Sequence, residues 1–120
     1  MKKMSNIEFD ELPEFIKDKK ALSKRYRSLP EDMEVLVKVL NDEPDESPPL
    51  SFRIEGLGID SNVIKIKKIA CKSLKGRGVN SGLRLIYAFF KDEQKITFVE
   101  LYHKSDKQNE DRARILKYFK

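Results

Sequence analysis

Lys65, Lys67 and Arg84 are spaced so that one side of a pair of strands would carry three cations and no carboxylate. They belong to the segment VIKIKKIACKSLKGRGVNSGLR, Val63 to Arg84. Seven of its residues are basic (Lys65, Lys67, Lys68, Lys72, Lys75, Arg77 and Arg84) and none is acidic. Strand alternation sends Ile64 and Ile66 to one face and Lys65 and Lys67 to the other, while Arg84 points opposite to Leu83 and Leu85. A cationic sheet can hold a phosphate in a fixed place, which a disordered basic tail cannot. Arg84 also interrupts the apolar run Gly82-Leu83-Arg84-Leu85-Ile86-Tyr87, where a fully buried charge is very expensive. Two arrangements satisfy it. One is an ion pair with Glu100 on a neighbouring strand, and the other is bidentate phosphate binding, for which guanidinium is suited. The lysines also have two readings. A lysine-rich strand face resists edge aggregation, whereas a catalytic lysine needs cationic neighbours that depress its pKa until it accepts a proton.

Lys68, Lys72, Lys75 and Arg77 surround a glycine-containing turn and suit contacts to an RNA backbone. His103, the single histidine, follows Tyr102 and precedes Lys104 at the end of the last strand. It is either a surface residue or an acid or base working near neutral pH. Tyr102 either stacks on a base or packs. One histidine and one distant cysteine do not make a metal site, and Cys71, on the presumed core side without a base partner, reads as a small buried apolar residue. No P-loop, dinucleotide fingerprint, nucleophile elbow or pair of metal-binding carboxylates is present. Gly76-Arg77-Gly78 lacks the spacing of a nucleotide cradle. Neither a metal nor a cofactor is expected.

These side chains need a frame. A chain of 120 residues, with 39% apolar and 38% charged residues, is expected to form one soluble domain over residues 1–120. No run approaches the roughly 18 apolar residues of a membrane span. The start, MKKMSNIEFDELPEF, has no apolar core of a signal peptide, and the lone cysteine fits a reducing cytoplasm. The net charge of +5 is unevenly distributed. Residues 1–60 carry ten Lys and Arg against fourteen Asp and Glu, whereas residues 61–120 carry fifteen against six. That asymmetry points to a surface that meets a polyanion.

Ile7 to Phe9 suggests a short strand. Leu12, Phe15, Ile16, Leu22 and Tyr26 recur at helical spacing, and Ser28-Leu29-Pro30-Glu31 has the form of a capping box before a second helix striped by Met33, Leu36, Val37 and Leu40. The acidic, proline-rich Asn41–Pro49 is a loop. Leu50–Ile54, Val63–Cys71, Leu83–Phe90 and Ile96–Tyr102 have strand composition, with Lys91–Gln94 as a hairpin loop. The doublet Lys67-Lys68 suggests a bulge that returns Ile69 and Cys71 to the core face. Ser105-Asp106-Lys107-Gln108 offers a capping box for a final helix bearing Ile115, Leu116 and Phe119. The expected fold class is α+β: an N-terminal helical hairpin and a C-terminal helix packed on one face of a mostly antiparallel β-sheet. The opposite face would then be open, with Lys65, Lys67 and Arg84 on it.

The run from Lys67 to Gly78, KKIACKSLKGRG, followed by Ser81-Gly82-Leu83-Arg84-Leu85-Ile86-Tyr87, resembles the sheet of RelE/ParE-superfamily toxins from type II toxin–antitoxin modules. The hallmark there is a basic strand, a leucine-lysine-glycine element and an arginine-hydrophobic-hydrophobic-tyrosine strand. The resemblance covers about residues 7–119 and is motif-specific from Lys65 to Lys104. It implies a RelE/ParE-like fold and, for a RelE-like mRNA interferase, ribosome-dependent mRNA cleavage without a metal. In that reaction a 2′-hydroxyl attacks the adjacent phosphate, so a base, a cationic stabiliser and an acid for the leaving 5′-oxygen are required. By position, Arg84 matches the strand arginine that stabilises phosphate. Lys65 and Lys67 resemble the paired strand lysines, one of them the base. Lys104 falls near a basic residue after the last strand, and His103 near a histidine used by some relatives. The C-terminal tyrosine of some members has only Tyr118 as a counterpart, here within a helix.

The partners implied are a cognate antitoxin protein, the ribosome and mRNA, with no membrane. Two other readings stay open: a ParE-like gyrase inhibitor without enzymatic activity, and a nucleic-acid-binding module that uses the same face without turnover. A complete set of cation, base and acid (Lys65, Arg84, His103, Lys104) favours the ribonuclease.

Overall fold

A computed structural model describes residues 6–120, so the basic start at Lys2 and Lys3 lies outside it. The described residues form β1 (Glu8–Glu11), α1 (Pro13–Arg25), α2 (Leu29–Asp42), β2 (Ser51–Arg53), β3 (Asn62–Ile66), β4 (Leu83–Phe90), β5 (Lys95–His103) and α3 (Arg112–Phe119). The strands make one sheet in the order β1-β5-β4-β3-β2. β1 runs parallel to β5, and the other neighbours are antiparallel. This is the expected α+β class, a helical hairpin and a C-terminal helix on a mostly antiparallel sheet. Among the described residues no helix is long and apolar enough to cross a membrane.

Local chemistry explains the elements. Pro13 opens α1 and Glu14 lies in its first turn, while Lys24 and Arg25 lie in its last, each sign complementing the helix dipole. Phe15, fully buried, stacks on Phe98 of β5 at 5.2 Å between ring centroids. Ser28 precedes α2 as expected, but it does not close a capping box. Its hydroxyl donates to Asp32 Oδ2 at 2.6 Å and accepts from the Ser73 backbone N–H at 2.8 Å. The helix start is thereby tied to the basic loop after β3.

The β4–β5 hairpin is buried on both faces, with a helix on each, and its register is interrupted once. Ile86 pairs with Glu100 but Tyr87 pairs with Phe98, so Val99 is an extra residue. Phe98 faces α1. Phe90 lies on the opposite face, where Phe119 of α3 meets it at 5.9 Å. The three helices therefore do not share one face, as alternation alone suggested: α1 and α2 cover one side and α3 the other.

The final helix also begins later than the Ser105–Gln108 pattern indicated. Its N-cap is Asp111, whose side chain accepts the Arg114 N–H at 3.0 Å. Residues 104–111 instead form a strap across the sheet. Glu100 of β5, only 1% exposed, explains its course: a buried carboxylate needs partners, and the strap supplies the Asp111 N–H at 2.8 Å and the Lys107 ammonium. β3 stops at Ile66, short of the expected Cys71, and at the expected bulge the N–H groups of Lys67 and Lys68 both donate to the carbonyl of Leu50, two residues opposing one. Ile69 and Cys71 still return to the core, each 3% exposed.

Candidate functional site

Lys67, Lys68, Asn80, Gly82, Arg84 and Lys104 line an open cleft of about 120 Å³ where β3 and β5 end beside the start of β4. Four of the six are cations and none is an acid. Arg84 lies opposite Tyr102 in the ladder, while Glu100 lies opposite Ile86. The Glu100 ion pair considered for Arg84 is therefore not made. Nη1 of Arg84 instead donates to the carbonyls of Lys67 at 3.0 Å and Leu83 at 3.2 Å. Two neutral carbonyls hold the guanidinium in place without neutralising it, and Nε and Nη2 remain as donors for an anion.

Backbone contacts place the other members. The Lys104 N–H donates to the Gly82 carbonyl at 2.8 Å, continuing the β5 pairing past its last residue. Lys68 Nζ donates to Asn80 Oδ1 at 2.7 Å, closing the base of the loop that carries the glycines. Gly82 has φ +93°, and a Cβ there would stand 2.6 Å from His103 Nε2. Only glycine lets the chain pass between the cleft and the histidine.

Lys65 shares the face of Lys67 and Arg84; like Arg84 it is half-buried, whereas Lys67 is exposed. The Lys65 ammonium donates to Glu110 Oε1 at 3.0 Å beneath the strap, with side-chain exposures of 13% and 8%. It also lies 6.0 Å from the centre of the Tyr102 ring. Burial opposes the charge on Lys65 most strongly, but Glu110 and Tyr102 together outweigh it and the pKa rises above the usual lysine value. That is opposite to the depression a lysine base requires. Burial likewise works against ionised Glu110, yet its own backbone and Lys65 hold its pKa below the ordinary carboxylate value.

His103 points to the other face. It pairs with Leu83 in the ladder, and its ring stacks on Tyr26 of the helical hairpin at 5.9 Å. The Ser105 N–H donates to Nδ1 at 3.1 Å, so the ring proton belongs on Nε2, which donates to the Ser81 carbonyl at 2.9 Å. Both nitrogens are engaged, and the cation cluster lies across the sheet. Tyr102 is 5% exposed, beneath Lys65 and Lys107, and does not offer a ring to a base.

Lys72, Lys75 and Arg77 are exposed on the loop between β3 and β4, with Lys72 3.6 Å from Glu31. Sequence reasoning missed Glu110, Asn80 and Gly82. The glycine carried a signal, since it immediately precedes the arginine strand; the partner of Lys65 lies 45 residues away and carried none. Among the described residues, no three His, Cys, Asp or Glu side chains are grouped to hold a metal. A larger apolar groove, about 600 Å³, lies between α1 and α2 on the opposite face, lined in part by Ile16, Met33 and Val37.

No protein-family model matches the chain, and no curated protein matches it. Solved structures do. The archaeal RelE–RelB complex from Pyrococcus horikoshii contains a chain that superposes with a TM-score of 0.57 at 14% identity, over 86% of this chain and 100% of that one. An arginine-to-alanine double mutant of the E. coli toxin RelE in the free state gives 0.55 at 14% identity, over 87% and 90%. The chain has a RelE-like fold.

Proposed function

We propose that this protein is the toxin of a type II toxin–antitoxin pair, a cytoplasmic, metal-independent endoribonuclease that cuts mRNA on the ribosome and arrests translation. The observation that carries this reading is the convergence of Lys67, Lys68, Arg84 and Lys104 on one small cleft without a carboxylate. It lies within a fold shared with RelE from two organisms. A nearly dissociated cluster of surface lysines would attract RNA without ordering it. Here the arginine is fixed by two backbone carbonyls and stays free of acids, which suits preorganised stabilisation of developing phosphate charge.

In the reaction, the 2′-hydroxyl of one nucleotide attacks the adjacent phosphorus, and the bond to the leaving 5′-oxygen breaks. Arg84 holds the non-bridging oxygens as their charge grows. Lys67 and Lys104 flank the cleft and are the groups placed to move protons at the attacking and leaving oxygens. Lys65, latched to Glu110, serves the face as a structural cation, and His103 supports the strand end from behind. Lys72, Lys75 and Arg77 form the approach for the RNA backbone. The partner that silences the protein is an antitoxin, by analogy with the RelB-bound neighbour.

Inducible expression followed by primer-extension mapping of mRNA ends tests the reading. New 5′ ends within translated messages are expected, with Arg84→Ala reducing them by orders of magnitude while the protein stays folded. Growth arrest with altered DNA supercoiling and uncut mRNA would overturn it in favour of a gyrase-directed toxin. Full cleavage by Arg84→Ala would remove Arg84 from the phosphate site.

A further inference from the structure

We infer that Phe52 is a base-stacking platform, which positions a nucleobase of single-stranded RNA beside the cationic cleft. This rests on the ribonuclease reading and extends it to a residue outside the cleft. Phe52 lies on β2, the edge strand of the sheet, and is 39% exposed. It pairs with Lys65 in the ladder, which puts its ring on the face that bears Lys67 and Arg84. The other exposed aromatic among the described residues, Tyr118, is held by a 2.7 Å hydrogen bond to Glu14.

The Phe52 ring is connected to the phosphate site. Lys67 Nζ rests 5.6 Å from its centroid, and the Lys67 carbonyl receives the Arg84 guanidinium at 3.0 Å. Phe52 and Arg84 stand on strands separated only by β3, roughly 10 Å apart across the sheet. A phosphate held by Arg84 therefore leaves the base of a neighbouring nucleotide within reach of the ring. Stacking of a base on an aromatic ring is worth more than the contact of an exposed lysine with that ring. An incoming base can displace Lys67 from the ring, which frees its ammonium to turn to the phosphate. Stacking is tolerant of base identity, so Phe52 orients the strand without selecting its sequence.

The chain contains no tryptophan, so Phe52→Trp introduces a single reporter at this position. The probe is a 2′-O-methyl oligoadenylate hexamer, which lacks the attacking hydroxyl and survives titration; an abasic hexamer of the same charge is the comparison. Quenching of Phe52→Trp by the oligoadenylate but not by the abasic hexamer is expected. Phe52→Ala should bind the oligoadenylate about ten- to hundredfold more weakly than the unaltered protein, with abasic binding unchanged. Equal binding of both probes by Phe52→Ala and the unaltered protein would overturn the platform. If Arg84→Ala loses both probes in that case, the phosphate reading stands without it. If the unaltered protein binds neither probe, the platform falls, and the cleavage reading is judged separately by the mapped mRNA ends.

Discussion

Lys65 Nζ and Glu110 Oε1, 45 residues apart in the chain, are joined by a 3.0 Å hydrogen bond beneath the strap of residues 104–111. The pair decides which cations of the basic face are available. Removing the carboxylate leaves a mostly buried ammonium unpaired, so Glu110→Ala should destabilise the fold by about 1–3 kcal/mol. It should also expose Lys65. Amine acetylation read by mass spectrometry should modify Lys65 several-fold faster in the variant, with Lys67 and Lys104 unchanged. Equal labelling rates for Lys65 would show that the strap stays closed without the pair.

The same pair sets an acid limit. Glu110 has a folded pKa below its ordinary value of 4.5, so its contribution to stability is complete above pH 4.5 and is lost as pH falls through the lower folded value. Lys65 has a folded pKa above 10.5; its contribution is complete below that and disappears only as pH rises through the folded value. Between these limits the pair leaves stability flat. Urea unfolding across an acid pH series should therefore show a smaller loss for Glu110→Gln than for the unaltered protein. Identical acid slopes would assign the loss to other carboxylates.

Gly82→Ala tests the backbone that separates the cleft from His103. The φ of +93° is unfavourable for an L side chain, and the added Cβ would meet the imidazole at 2.6 Å. Left-handed strain and overpacking together should destabilise the protein by about 2–4 kcal/mol. Thermal unfolding measures this, and an unchanged melting temperature would mean that the ring moves freely aside.

The part of the fold legible in the sequence is the part written in local pattern. Leu83–Phe90 and the strand that follows Lys91–Gln94 were recognisable because dense apolar residues flank a polar turn, and they form β4 and β5. The basic face was legible from the alternation of Ile64, Lys65, Ile66 and Lys67. Its covering was not. Ser105 and Gln108 have helix-starting chemistry, but burial of Glu100 draws the Asp111 N–H and Lys107 onto the sheet and delays α3. His103 was grouped with Arg84 by closeness to the strand end, whereas the ladder puts Leu83 with His103 and Arg84 with Tyr102. One residue of parity separates a side chain in the cleft from one on the opposite face.

Salt dependence distinguishes the cleft from diffuse attraction. Each phosphate neutralised on a single strand contributes about 0.7 to the slope of log affinity against log salt. Lys67→Ala or Lys104→Ala should therefore each lower the slope for a 2′-O-methyl hexamer by about 0.7 if each cation meets one phosphate. Lys65→Met, which removes a cation already paired with Glu110, should leave the slope unchanged once folding is verified. Lys95, half-buried near the other end of the sheet and paired with Asp10 at 3.0 Å, serves as a second control. Equal slope losses at all four positions would mean that RNA is drawn by net charge alone; losses confined to Lys67 and Lys104 would locate the phosphate path at the end of β3 and β5.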